Sequence, residues 1–354
     1  MKPFVKSGLE AGNFGNPSSA HRYGKKAGRA VDRARRQVAE LINANPGQVL
    51  FTSCGSESNN LALKGTVVAG EEKPHLITSR IEHPSVLQTC DALENRGYEV
   101  DYLEVDVTGL VDPNQLRAMI RPETRIVSVM HANNEVGTIQ PVAELAEIAH
   151  NHGALFHTDA AQSLGKIEVD VDELGVDLLT VAGHKLYAPK GVGALYARDK
   201  SELEPLIHGA GHEFGLRAGT ENLILDVGLG AACRRARPDE EAPQLEEKRD
   251  YFHELLKNKF GDDVVLNGHP HRRLPNTLNI SFRGWDANDL LKHTEEIAAS
   301  TGSACHSDSV ELSPVLKALG IDNETGKGAV RFSLGRYTKK TDLEEAAEKL
   351  EKVS

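Results

Sequence analysis

At 354 residues the chain is longer than one hydrophobic core usually supports, which predicts two domains. It is 39% hydrophobic and 26% charged with a mean hydropathy of −0.39, and it has no run of 18 apolar residues to span a membrane. Its 41 basic residues against 52 acidic ones give a formal charge of −11, which argues against a broad electrostatic grip on nucleic acid or anionic lipid.

The opening "MKPFVKSGLEAG" lacks the apolar core of a signal peptide, so the expected location is the cytoplasm. Residues 19 to 43 then predict an amphipathic helix, with Ala27, Ala30, Val31, Ala34, Val38, Leu41 and Ile42 on one stripe. From there short apolar runs alternate with helical stretches. "QVLFTS" (48–53) leads to "SESNNLALKGTVV", "HLITS" (75–79) to "PSVLQTCDALENRG", and "RIVSVMH" (125–131) to "PVAELAEIAHNHG". "ALFHTD" (154–159) and "VDLLTVAG" (176–183) continue the series. Continuous apolar strands separated by helices predict an α/β fold with a parallel sheet covered on both faces.

Beyond about residue 225 the pattern changes. "RRARPDEEAPQLEEKRDYFHELLKNKF" reads as a charged surface helix system broken near Pro238 and Pro243. "NTLNISFRG" alternates like a half-buried antiparallel strand, and "KKTDLEEAAEKLEKV" is helical. The expected boundaries are a large domain over 14–226 and a smaller α+β domain over 227–354, with residues 1–13 packing on the latter. The four cysteines, Cys54, Cys90, Cys233 and Cys305, form neither a disulfide framework nor a CxxC metal pair, so no metal site is expected.

In open parallel sheets, ligands collect at the carboxyl ends of the strands. Gly55 and Ser56 follow the first predicted strand and start a helix, a ready anion site. His83 follows the second, Asn134 the third, Asp159 and Gln162 the fourth, and His184 and Lys185 the fifth. Singly each is an ordinary polar residue at a strand end; together they match the needs of pyridoxal phosphate. That cofactor takes a lysine amine for its aldehyde and a carboxylate for its ring nitrogen. It also takes donors to its ring oxygen, a flat partner over its ring and a cradle for its phosphate. Lys185, Asp159, Gln162 with Asn134, His83, and Gly55 with Ser56 suit these five tasks, and His184 adds a phosphate contact.

The segments "FTSCGSESNNLALKG", "EHPSVLQTC", "MHANNEVGTIQPV", "HTDAAQSLGK", "GHKLYAPKGVGALY", "GLRAGTEN", "STGSACHS" and "RFSLGRYT" resemble the NifS/IscS-type cysteine desulfurases, fold-type I enzymes of the class-V aminotransferase group. The resemblance runs in order from Gly15 to about residue 350. It implies a large, mostly parallel seven-stranded sheet and a smaller α+β domain. It also implies that Lys185, rather than Lys190, carries the cofactor. Thr220 matches a threonine that reaches the phosphate in the neighbouring subunit, hence a homodimer. Arg331, with Asn134, matches the binding site of the substrate carboxylate, a task suited to a bidentate guanidinium. Cys305 matches a nucleophile on a mobile loop that takes sulfur from L-cysteine as a persulfide, leaves alanine, and can share a transient iron–sulfur cluster. His83 or His306 would assist proton transfer. The implied acceptor is an iron–sulfur scaffold protein or a tRNA-thiolation partner, with no direct contact to nucleic acid or membrane.

Three features depart from the family pattern. The chain opens inside the helix that precedes "FGNPSS", whereas relatives carry a short strand and a "DxAATTP"-like segment before it. Ala182 stands where a hydroxyl residue would donate to the phosphate, which predicts a weaker hold on the cofactor. Phe214 replaces a common arginine, and His306 follows Cys305 where a small hydroxyl residue is frequent. The alternatives are a catalytically weakened dimeric scaffold of iron–sulfur assembly, favoured by the first two departures, and a selenocysteine lyase or aminotransferase relative. The thiol of "GSAC" counts against simple transamination.

Overall fold

The computed structural model describes residues 14–68, 74–306 and 309–353, with only the backbone of 303–306 and 309–311. The expectation that residues 1–13 pack on the smaller domain lies outside the described residues.

Helix α1, Arg22–Leu41, is started by the His21 side chain, which accepts from the Gly24 amide at 3.1 Å. Its buried Ala27, Ala30, Val31, Ala34 and Val38 recur at helical spacing, and Asn43 at φ 54° with Pro46 close behind it ends the run. Strands β1 (Val49–Thr52), β2 (His75–Ser79), β3 (Glu99–Leu103), β4 (Thr124–Ser128), β5 (Leu155–Asp159), β6 (Leu178–Ala182) and β7 (Gly193–Ala197) form one seven-stranded sheet in the order β1-β7-β6-β5-β4-β2-β3. Only β7 runs against its neighbours. The burial of β1, β2, β6 and β7 is continuous along their length, as two covered faces require. One face carries α1 and the Leu223–Arg235 helix; the other carries Leu61, Leu63, Val86 and Leu93. Fully burying each such side chain contributes ~1.5–3 kcal/mol.

A second, antiparallel sheet orders β10 (Ser300–Thr301), β13 (Ala329–Ser333), β9 (Thr277–Phe282) and β8 (Val264–Leu266). It packs against the Pro238–Phe260 and Lys340–Val353 helices through Phe252, Leu256, Phe282, Phe332 and Leu350. A small cluster of Ile81, Met130, Val136, Val315, Leu316 and Ala329 joins this sheet to the carboxyl ends of β2 and β4. That contact brings β13 to the strand ends of the large sheet.

Two expectations are corrected. The helix breaks before Pro238 but runs through Pro243, because a proline in the second turn forfeits one hydrogen bond while nearly five turns remain beyond it. The strand in "NTLNISFRG" is fully buried rather than half-buried. Its inward polar side chains are satisfied, since Asn267 Nδ2 donates to Asn279 Oδ1 and Ser281 Oγ at 2.9 Å each.

Candidate active site

The five predicted strand ends converge on one cavity of about 280 Å³. Its wall includes Gly55, Ser56, His83, Asn134, Asp159 and Gln162, and also Ala182, His184, Lys185 and Arg331. Each arrives by a simple local device. Gly55 opens the Gly55–Asn60 helix directly after β1, and a Cβ there would come to 3.1 Å from the Ala182 Cβ. Ala182 thus packs against the glycine turn from the last position of β6. His83 caps the Pro84–Glu94 helix, its Nδ1 accepting from the Ser85 amide at 3.1 Å. Lys185 lies in the short 3-10 turn Gly183–Leu186. That turn is closed by Tyr187 at φ 66°, a left-handed conformation uncommon for an aromatic residue. Its hydroxyl accepts from the Arg336 amide at 2.8 Å and Lys166 Nζ donates to the Lys185 carbonyl at 3.1 Å, so both sides of the lysine turn are held.

Asp159 ends β5 and is buried. Its carboxylate accepts from Asn59 Nδ2 at 2.8 Å and from the Ala161 amide at 2.9 Å, both neutral donors. Burial pushes its pKa up; those hydrogen bonds and the nearby Lys185 oppose the shift. Burial and the Arg331 charge push the Lys185 amine down, so more of it is neutral and nucleophilic than for a lysine in water. His184 is also lowered, first by burial and then by Lys185.

Arg331 projects from β13, donates through Nη1 to the Asn134 carbonyl at 2.8 Å and through Nη2 to Ser300 Oγ at 3.1 Å. It lines both the main cavity and a neighbouring one of about 440 Å³ that includes Ser300, Thr301, Ser313 and Glu135. Thr220 is not brought into the main cavity of its own chain; it lines a separate cavity of about 150 Å³ with Ser53, Gly191 and Arg217. Lys190 is exposed and lies outside the cavity wall.

The segment expected to carry the nucleophile on a loop is instead part of a hairpin. Cys305 lies on β11 (Ser303–His306), which pairs with β12 (Ser309–Leu312) so that Cys305 faces Val310. The Cys305 and His306 side chains lie outside the described residues. Gly302 anchors the hairpin base: its amide donates to Ala329 at 2.8 Å, and a Cβ there would come to 2.6 Å from Leu316 Cδ1. Cys90 and Cys233 are buried, their thiols pushed up to about 12 by burial; Cys54 lines the cavity.

Sequence reasoning passed over Asn59 and Ser85, which also line the cavity. Their only local signal is that each sits in the first turns of a helix beside a predicted site residue. Among the described residues no group of three His, Cys, Asp or Glu suits a metal ion, and no helix is long and apolar enough to cross a membrane.

Comparison with known proteins adds a second line of observation. The family model for class-V aminotransferases matches residues 9–345. A curated relative from Dictyoglomus turgidum, cysteine desulfurase IscS, is 46% identical over 100% of this chain and 89% of its own. The IscS of Vibrio vulnificus is 45% identical, covering 96% of this chain and 85% of its own. Among solved structures a NifS-like protein superposes with a TM-score of 0.92 at 35% identity, covering 99% of this chain and 94% of its own. One titled SspA in complex with cysteine reaches a TM-score of 0.83 at 40% identity, covering 96% of this chain and 94% of its own.

Proposed function

The chain belongs to the class-V aminotransferase family, and from that premise we propose that it is a pyridoxal-phosphate-dependent cysteine desulfurase, taking sulfur from free L-cysteine and leaving L-alanine. The observation that carries this reading is the buried Asp159 carboxylate, held by two neutral donors, in the same cavity as a lysine whose amine is depressed. A protonated ring nitrogen is the partner such a carboxylate lacks, and an aldehyde is what such an amine takes. The Oδ1 of Asn134, buried on the cavity wall without a hydrogen-bond partner, is an acceptor open to a donor group of the bound molecules, while the ring oxygen would take an N–H of Asn134 or Gln162. The residues therefore fit the cofactor.

Bound there, pyridoxal phosphate supplies an electron sink for the bonds around the substrate's α-carbon. The chain's own residues do the rest. Lys185 Nζ would hold the aldehyde and, as a free amine, would take the α-proton of the substrate. Asp159 keeps the ring nitrogen protonated. Gly55 and Ser56 at the helix start, with His184, hold the phosphate. Arg331 turns its guanidinium to the substrate carboxylate beside Asn134. Cys305, as thiolate, attacks the substrate sulfur: an S–S bond forms, the Cβ–S bond breaks, and Cβ takes a proton. L-Cysteine and an enzyme thiol thereby become L-alanine and an enzyme persulfide, with no external oxidant. The persulfide then passes to a partner of iron–sulfur assembly or tRNA thiolation. In this reading the cofactor-binding domain runs from residue 14 through the Leu223–Arg235 helix and the smaller domain follows it; the expected boundary between 226 and 227 would cut that helix, whose Leu229 and Cys233 lie in the core of the large sheet. Similarity to desulfurases along the full chain does not favour a scaffold-only role.

Two variants test the assignment. Lys185→Ala should lose the visible absorbance of the bound cofactor, whereas Cys305→Ala should keep it yet form no alanine from cysteine. Full activity in Cys305→Ala would remove the assigned nucleophile.

A further inference from the structure

We infer that Asn59 and Ser85 are positioning residues that hold the His83 ring as its Nε2–H tautomer, making it a fixed hydrogen-bond donor to the contents of the cavity. The polarity of the network stands on geometry alone; only the identity of what the ring meets rests on the desulfurase reading.

The Ser85 backbone amide lies 3.1 Å from His83 Nδ1, and a backbone N–H can only donate. Nδ1 is therefore an acceptor and carries no proton, so the proton of the neutral ring is on Nε2. A second donor meets the same nitrogen. Ser85 Oγ is 2.8 Å from Nδ1 and 2.8 Å from Asn59 Nδ2. Asn59 spends its other N–H on Asp159 Oδ2, also at 2.8 Å. A flipped Asn59 amide would put its oxygen against that carboxylate, so the Asp159 charge fixes the amide. Ser85 Oγ accepts from Asn59 and turns its own hydrogen to Nδ1. One directed chain runs from carboxylate to amide to hydroxyl to imidazole.

Asn59 bears a cost for this arrangement: it is 1% exposed and its Oδ1 has no hydrogen-bond partner. An amide kept there with its oxygen unsatisfied is kept for its two N–H groups. The chemical consequence is a division of labour. With Nδ1 occupied by two donors, His83 offers the cavity an N–H and no free lone pair. It can hold a developing negative charge on the substrate or cofactor, but it does not take the α-proton, so that task stays with Lys185. The same amide that aligns the carboxylate at the ring nitrogen also orients the ring expected over the cofactor face.

The test is nitrogen-15 NMR of the full chain labelled at histidine, with the His83 signals identified by their loss in His83→Gln. The expected spectrum has an unprotonated, hydrogen-bonded Nδ1 and a protonated Nε2 at neutral pH. Ser85→Ala leaves the proton on Nε2, because the backbone amide remains. It moves the Nδ1 resonance toward that of a less bonded nitrogen and lowers kcat/KM about five- to tenfold at unchanged cofactor content. Ser85→Thr restores both. A wild-type ring with its proton on Nδ1, or a Ser85→Ala spectrum identical to wild type, overturns the inference. Wild-type protein that forms no alanine from cysteine would instead sink the functional reading, with the tautomer still decided by the spectrum.

Discussion

Glu82 sits one residue before His83 and is 3% exposed. Its Oε1 accepts from Ser79 Oγ at 2.6 Å and from the Met130 amide at 2.8 Å, tying the end of β2 to the chain leaving β4. Its Oε2 has no partner, and burial, with a smaller push from Asp159, raises the carboxyl from 4.5 to about 8. The folded state then holds a proton that the unfolded chain has released. The resulting loss of stability is absent below pH 4.5, grows as pH rises and is complete near pH 8, about 3 kcal/mol by pH 7. Glu82→Gln keeps the accepting oxygen and removes the titration. Denaturant unfolding of the variant should show its stability relative to wild type rising between pH 5 and about 8. A difference that stays level across that window would mean Glu82 is already ionised in the fold. Residues of this kind explain what the sequence leaves unread at this scale. Lys185, Asp159 and His83 are visible because each closes an apolar run. The partners that tune them are not visible, since Asn59 and Asp159 stand 100 positions apart and meet only when the sheet is assembled.

At the scale of elements, the contact between α1 and the Leu223–Arg235 helix shows how closely the cover of the sheet is fitted. Gly230 lies where a Cβ would come to 2.6 Å from the Ala34 Cα and 2.7 Å from Gln37 Oε1. Alanine gains helix propensity of about 1 kcal/mol over glycine, but the neighbour here is backbone and must shift. Overpacking costs about 1–3 kcal/mol, so Gly230→Ala should destabilise by up to ~2 kcal/mol, read as a lower denaturant midpoint with an unchanged slope. An increase in stability would mean the helices separate freely. The apolar helix stripe of α1 and the continuous runs of β2, β5 and β6 are readable from the amino-acid sequence, because burial on both faces leaves its mark on each residue. Strand β3 is not: it is an edge strand, and "EVDYL" is exposed or half-buried over all but its last position. Strand β7 is hidden for a different reason, since "GALYA" begins with glycine inside a segment that reads as a turn. That glycine is needed because a Cβ at Gly193 would come to 2.7 Å from the Cys54 carbonyl carbon. The hairpin holding Cys305 reads as a loop because serine, alanine and histidine carry no alternating apolar pattern.

For the whole molecule, Thr220 lies on a separate cavity from Lys185 within its own chain. If a homodimer forms with shared sites, each site takes Lys185 from one subunit and Thr220 from the other, and mixing two defective chains distinguishes the arrangements. In a dimer of one Lys185→Ala and one Thr220→Val subunit, sharing across the interface concentrates both defects in one site. The other site is then intact, with wild-type cofactor affinity. If Thr220 served its own chain, one site would lack the lysine and the other the hydroxyl, and neither would be whole. Loss of a hydrogen bond to a charged phosphate costs about 1.5–3 kcal/mol, roughly a ten- to hundredfold weaker hold. Co-expressed, doubly tagged mixed dimers should therefore retain one tightly bound cofactor per dimer and about half the wild-type kcat. Retention at the level of the Thr220→Val homodimer would place both groups in one subunit. The experiment also probes the departure at Ala182. If the sites are shared in this way, a site already short of one phosphate donor from its own chain would depend more heavily on a hydroxyl lent by its neighbour, and dissociating such a dimer should release the cofactor with it.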